Sequence, residues 1–333
     1  MKRASLHQPI EKSGTNLHAS LGAVAQLPRF WWLPIAFLVL QSTAASAQSL
    51  PADERDSTSV LLSGPAGSET VHRLAWHWKR VHAAEVGATA VLVLGAIGFY
   101  QMTAPTARWQ KVNGFDSWFR DQLRLGERAQ QGVDLASRIL ATSLFVYPML
   151  VDSLGVVLIG DENKDVFSQL FAIQAQAFAM TGFVTYAAKT GVRRERPYGQ
   201  GVICPGPSPE CREGLNESFF SDSVSFAFAG AGLTCVAHRH LALYGRVGDP
   251  LACATTLTLA SATALFRVMA DEHWTTDVLT GAGIGLLAGW LVPWLLHFRH
   301  DETKRMDGIV GALRYAAPYG TRGEFGLRVT GRF

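Results

Sequence analysis

Ala83 to Met102 is an apolar run of twenty residues whose only charge is Glu85, near its start. Five more apolar runs follow, at about 136–160, 168–189, 223–244, 251–270 and 278–297. As a helix, about 20 apolar residues match the hydrocarbon thickness of a bilayer. Six such runs in one chain leave few folds open. No stretch of strand period precedes the tail, so the pattern predicts an all-α chain, a polytopic membrane bundle of about six core helices. A soluble helical protein with an apolar core is the competing reading. Gly and Ala are frequent in the runs, and Gly281-Ala-Gly-Ile-Gly285 makes the small-residue face that lets membrane helices approach closely.

Hydrophobic residues make up 48% and charged residues 17% of the 333-residue chain, yet mean hydropathy is only +0.13. Long polar segments must therefore flank the runs. Residues 1–47 combine scattered basic residues, the apolar run Phe30–Leu40 and the small-x-small site Ala45-Ser46-Ala47, the pattern of a secretory signal. Residues 48–75 are rich in Ser, Asp, Gly and Pro and read as a disordered linker. The helical domain then spans 76–298. The tail, 299–333, is polar, and its weakly alternating end is compatible with one short strand. Thr106 to Leu135 mixes Trp109, Phe115, Trp118 and Phe119 with Arg120, Arg124 and Arg128. That mixture predicts an amphipathic helix on the membrane surface or over the bundle mouth. Net charge is +3, and no basic stripe interleaved with aromatics points to nucleic acid.

The four cysteines include no Cys-x2-Cys pair, which argues against structural zinc. Cys204 and Cys211 flank a Pro-rich loop. A disulfide there and two free thiols remain alternatives. Cys235 and Cys253 lie inside apolar runs and read as small core residues.

Three blocks carry chemistry. In Arg267-Val-Met-Ala-Asp-Glu-His273-Trp-Thr-Thr-Asp277, His273 and Asp277 fall one helical turn apart. An Asp so placed can accept the imidazole N–H and leave the other ring nitrogen free to attack. Arg267 offers a planar fork suited to phosphate oxygens. Taken alone, the segment fits a solvated helix end equally well. Upstream, Lys189 and Arg196-Pro197 lie seven residues apart at a helix exit, two cations suited to an anion. Between them, Ser221 opens an apolar run where free backbone N–H groups favour an anion. Arg193, Arg194 and Glu195 read as solvated loop charges, Asp271 and Glu272 either tune His273 or face water, and His238, His240, His297 and His300 read as interfacial.

The ordered triple resembles the signature of the type-2 phosphatidic acid phosphatase and vanadium haloperoxidase superfamily: Lys-x6-Arg-Pro, Pro-Ser-Gly-His, then Ser-Arg-x5-His-x3-Asp. It covers roughly Arg120 to His297. The first block matches fully at Lys189, Arg196 and Pro197. The third matches at Arg267, His273 and Asp277, with Phe266 for Ser. In the middle block Ser221 stands, but Phe220, Asp222 and Ser223 replace the Pro, Gly and His.

The resemblance implies the phosphatidic acid phosphatase type-2 architecture and a two-step phosphoryl transfer. His273 is then the nucleophile and Asp277 its orienter, and Lys189, Arg196, Ser221 and Arg267 hold the phosphate. No metal or other cofactor is implied, vanadate entering only if the chain is a haloperoxidase. The implied partners are membrane lipids and a phosphorylated lipid or isoprenoid substrate. Ser223 stands where the family's general acid would be, and a hydroxyl cannot donate at neutral pH as imidazolium does. Asp222, with a raised pKa, is the one candidate to replace it. The alternatives are a slow phosphatase and an inactive relative that binds phosphorylated headgroups or acts as a scaffold. The resemblance also implies a bacterial-type inner membrane with the site facing the periplasm. Six spans after an exported N-terminus would instead place it in the cytoplasm, and Lys and Arg counts do not separate the two.

Overall fold

The computed structural model describes residues 73–102, 106–200 and 214–300, with the backbone of 316–321 and 324–329. The signal-like segment, nearly all of the linker, and Cys204 and Cys211 lie outside the described residues. The helices in chain order are α1 (Ala83–Gln101), α2 (Gly114–Leu123), α3 (Glu127–Tyr147), α4 (Lys164–Val192), α5 (Asp222–His240), α6 (Gly245–Met269) and α7 (Thr275–Leu286). A π-helical stretch, Pro148–Gly160, prolongs α3, and π-helical turns Leu287–Leu291 and Trp294–Phe298 prolong α7.

Local chemistry sets the ends. The Asn113 and Asn163 side chains accept from the N–H groups of Asp116 and Val166 at 2.7 and 3.0 Å, satisfying donors the helix leaves orphaned. Arg193, at φ 50°, turns the chain out of α4 in the left-handed region. Pro148 has no N–H and opens the π-helical stretch.

Backbone contacts fix how the helices run. The Leu125 N–H donates to the Met269 carbonyl at 3.1 Å and the Ser221 N–H to that of Asp277 at 3.3 Å. The ends of α4 and α6 therefore meet the starts of α3, α5 and α7 at one pole. The segment before α1, the end of α5 and the end of the α7 extension lie at the other, where the Lys79 N–H bonds to His300. α5 forms the centre, with Val224, Ala227, Ala229, Ala231, Leu233 and Val236 buried. α7 can press on it because a Cβ at Gly285 would lie 2.4 Å from the Ser225 carbonyl oxygen, and one at Gly281 2.8 Å from that of Ser221. Gly283, in the same small-residue run, faces open space.

Among the described residues, five helical spans are long and apolar enough to cross a membrane: Ala83–Gln101, Glu127–Gly160, Lys164–Val192, Gly245–Met269 and Thr275–Phe298. The sixth long helix, α5, sits inside them. Val91, Leu94, Leu251 and Leu279 point outward, each more than half exposed, as suits a lipid-facing surface. The chain is a multi-pass all-α membrane protein, with six long helices among the described residues.

Three expectations change. The segment 106–135 is not one amphipathic helix: α2 ends at Leu123 and α3 starts at Glu127, and Asp116 fastens α2 across the pole where α7 begins. Cys235 and Cys253 are not separate core residues but a disulfide joining α5 to α6. Antiparallel neighbours bring their Cα atoms to 4.5 Å, within bridging reach. The tail holds two strands, β1 (Ala316–Thr321) and β2 (Glu324–Val329), paired antiparallel.

Candidate functional site

The three blocks meet at the pole where α4 and α6 end and α5 and α7 begin. A short backbone frame links them. The Ser218 N–H donates to the Arg194 carbonyl at 2.9 Å and the Arg196 N–H to that of Leu215 at 2.8 Å. Lys189 Nζ donates to the Glu217 carbonyl at 2.8 Å.

His273 is buried at the centre. Its Nδ1 lies 2.8 Å from the Ser218 carbonyl, which can only accept, so Nδ1 carries the proton. Nε2 is then the bare nitrogen, and it faces Arg196 Nη1 at 3.2 Å. Asp277 is not the acceptor that the one-turn spacing predicts: its Oδ2 stands 3.9 Å from Nδ1. That oxygen instead accepts from Ser218 Oγ at 2.5 Å and the Trp274 N–H at 3.1 Å. A backbone carbonyl thus sets the tautomer, and Asp277 acts one residue removed. Burial, then the charges of Arg196, Arg267 and Lys189, push the His273 pKa well below that of an ordinary imidazole.

Each cation in the pocket already has an anion. Arg196 donates to Glu272 Oε2 at 3.0 Å and through Nε to the Gly214 carbonyl at 2.9 Å. Arg267 pairs with Asp134 and approaches Glu272 Oε2 at 3.5 Å. Lys189 Nζ lies 3.7 Å from Asp222 Oδ2. Ser221 Oγ is buried with no hydrogen-bond partner among the described residues. Asp222 Oδ1 accepts from the Ser223 N–H at 2.8 Å. Burial alone would raise the Asp222 pKa. Lys189, Arg196, Arg267 and that N–H outweigh it and hold the carboxyl well below the usual range. The Lys189 ammonium at 3.7 Å and the Ser223 N–H favour the carboxylate form of Asp222, which argues against it as the replacement acid. The set of cations, with a hydroxyl and the start of α5, suits a tetrahedral oxyanion such as phosphate or vanadate rather than a metal cation.

Sequence reasoning missed several groups. Arg194 is 1% exposed, not a solvated loop charge, and it bonds Asp277 Oδ1 at 2.5 Å and Asp116 Oδ2 at 2.6 Å. The charge-dense run Arg193–Arg196 disguised it. Asp271 and Glu272 are buried, and Asp271 is paired by Arg120 at 2.6 Å and Arg124 at 3.2 Å. His238 and His297 are also buried, not interfacial.

Residues 171–301 match the profile of the PAP2 superfamily. A lipid A 1-phosphatase of Porphyromonas gingivalis is 27% identical over 164 residues, 47% of this chain but 32% of that protein, so the match spans about a third of that relative. The crystal structure of the first transmembrane PAP2 type phosphatidylglycerolphosphate phosphatase, from Bacillus subtilis, superposes with a TM-score of 0.42 at 16% identity, over 63% of this chain and 94% of that one. The matched span holds Lys189, Arg196, Ser221, Arg267, His273 and Asp277, and over these residues the chain is similar to the PAP2 superfamily.

Proposed function

We propose that the protein is a phosphoric monoester hydrolase that removes phosphate from a phosphorylated lipid or isoprenoid by way of a phospho-histidine at His273. The observation that carries this reading is the bare Nε2 of a buried, neutral imidazole facing Arg196. In the first step Nε2 attacks phosphorus, a P–N bond forms, and the P–O bond to the leaving group breaks. Arg196, Arg267 and Lys189 spread the charge on the phosphoryl oxygens, so the step asks for no metal. In the second step water attacks the phospho-histidine and releases phosphate and free His273. The leaving oxygen needs a proton unless it is stable as an anion. Ser223 does not supply one, so a lipid alkoxide takes its proton from water while an aryl oxide leaves as the anion, and aryl phosphates are turned over faster than lipid alcohol esters.

The relative from Porphyromonas gingivalis is a lipid A 1-phosphatase, which supports a lipid substrate. The outward-facing apolar residues of the helical spans support the same. The proposed setting is a bacterial-type inner membrane with the site facing the periplasm. Six crossings would then leave the segment before α1 and the end of α7 in the cytoplasm. Labelling Ser117→Cys in intact cells with an impermeant thiol reagent tests this, and protection of that cysteine reverses the orientation.

Purified wild type should release phosphate from an aryl phosphate, and His273→Ala should release none. Equal rates would end the hydrolase reading. Because imidazole must be neutral to attack, and its pKa is depressed, turnover should persist as pH falls through the ordinary value of about 6.5. It should be lost only below that. Ser223 and the carboxylate of Asp222 favour a second reading, a non-catalytic relative that binds phosphorylated headgroups or serves as a scaffold. Vanadate binding without turnover would support it.

A further inference from the structure

We propose that Arg194 is a positioning residue: by holding Asp277 away from the imidazole it keeps His273 in the neutral, Nδ1-protonated form. This inference rests on the reading of His273 as nucleophile. Nothing in the family's three blocks names Arg194, which sits between the lysine and the arginine of the first.

The geometry is closed on every side. Arg193 turns the chain out of α4 at φ 50°, and Arg194 follows it inward. Its Nη1 donates to Asp277 Oδ1 at 2.5 Å and to Thr276 Oγ1 at 2.7 Å, and its Nη2 to Asp116 Oδ2 at 2.6 Å. The guanidinium lies over the Trp109 ring at 4.1 Å and near the Trp274 ring at 5.5 Å. Asp116 is itself fixed, accepting from the Thr276 N–H at 2.8 Å and from Asn113 Nδ2 at 2.8 Å. Arg194 is thus a buried fork between two carboxylates, a task a lysine point charge performs less well.

The consequence falls on His273. With Oδ1 on Arg194 and Oδ2 on Ser218 Oγ and the Trp274 N–H, the carboxylate of Asp277 is committed. Ser218, oriented by that bond and by its N–H to the Arg194 carbonyl, offers its own carbonyl to Nδ1. The groups around the ring are Arg196 beyond α4, Lys189 of α4, Arg267 of α6, Glu272 beside it and Asp277 of α7, with Asp222 of α5 behind Lys189. Only the two nearest carboxylates could stabilise an imidazolium. Glu272 is held by Arg196 and Arg267, and Asp277 by Arg194. Without the guanidinium, the negative charge of Asp277, 3.9 Å from Nδ1, is released towards the ring. It then favours the protonated imidazole, which cannot attack.

The test is a nitrogen-15 histidine NMR titration of the full chain in detergent micelles, with His273→Ala identifying the signal. In wild type His273 should stay neutral and Nδ1-protonated as pH falls through the ordinary imidazole value of about 6.5. In Arg194→Gln its titration should move up by about one pH unit, as expected when an opposite charge close by is unmasked. Arg194→Lys should restore part of the shift. Asp116→Asn, which loosens the fork from its far side, should give a smaller move in the same direction and serves if Arg194→Gln does not fold. A titration unchanged in both Arg194→Gln and Asp116→Asn overturns the proposal. So does a wild-type ring protonated on Nε2. The readout needs no turnover, so a chain without phosphatase activity would end the hydrolase reading and leave this result standing.

Discussion

Two buried histidines, near opposite poles of the bundle, show how one side chain takes two roles. His238, near the end of α5, is clamped between carboxylates. Its Nδ1 meets Asp249 Oδ1 at 2.7 Å, and its Nε2 lies 3.3 Å from Asp152 Oδ1, at ion-pair distance but not aligned as a hydrogen bond. Tyr244 closes the cluster, its hydroxyl donating to Asp152 at 2.7 Å and its ring lying 4.5 Å from the imidazole. Asp152 belongs to the π-helical extension of α3 and Asp249 to α6, so His238 ties three helices together. His273 has the reverse surroundings. One nitrogen donates to a backbone carbonyl, the other carries no proton and accepts from Arg196, and the charges nearest that second nitrogen are positive. Burial is the same in both. A bare nitrogen beside cations is what separates a candidate nucleophile from a strut.

The sharpest way to test that contrast is to restore the family's residues at the pocket. Asp222→Gly with Ser223→His should raise turnover of an aryl phosphate by about 10²–10⁴-fold, the usual contribution of a general acid. It should leave the His238 cluster, at the far pole, unchanged. If the double variant gains nothing, the remaining pocket is not a latent phosphatase site.

The next largest effect compares the histidines directly. His238→Ala leaves two buried carboxylates, Asp152 and Asp249, with only their Tyr244 hydrogen bonds, and breaking a buried ion pair costs about 3–5 kcal/mol. His273→Ala removes an uncharged ring from a pocket rich in cations. It should cost less stability than His238→Ala, because no buried carboxylate loses its counter-charge, and remove turnover completely. Thermal unfolding in detergent, read beside phosphate release, gives both quantities for each variant. Equal losses of stability would erase the distinction.

These contrasts explain what could be seen in the chain beforehand. The six long apolar runs and the spacing of Lys189, Arg196, Ser221, Arg267 and His273 are local, so the sequence displays them. The partners that decide each role are not local. Asp134 reaches Arg267 from α3, Asp116 reaches Arg194 from α2, and Asp152 reaches His238 from the π-helical stretch. Nothing in a run such as Arg193–Arg196 says which guanidinium turns inward, because the answer depends on carboxylates some eighty residues away in the chain. The i,i+4 spacing of His273 and Asp277 correctly places them together, yet spacing could not show that Ser218 would intervene. The Cys235–Cys253 bridge was hidden for the same reason: each cysteine looks apolar by its neighbours, and only the pairing of α5 with α6 brings them face to face.

The smallest expected effect isolates charge from catalysis. Asp222 stands at the start of α5 with Oδ2 3.7 Å from Lys189 Nζ. It is a carboxylate where the family has a residue without a side chain, and it lies where incoming phosphate would meet Lys189. Phosphate must therefore compete with a tethered anion. Asp222→Asn keeps the size and the Ser223 N–H contact while removing the charge. It should strengthen binding of inorganic phosphate or vanadate by about tenfold, equivalent to about 1.4 kcal/mol, without raising turnover, because Ser223 still provides no acid. Calorimetric titration of the two proteins reads the difference, and high salt should shrink it because Asp222 is partly exposed. Equal affinities would mean that Asp222 is a bystander to the anion site.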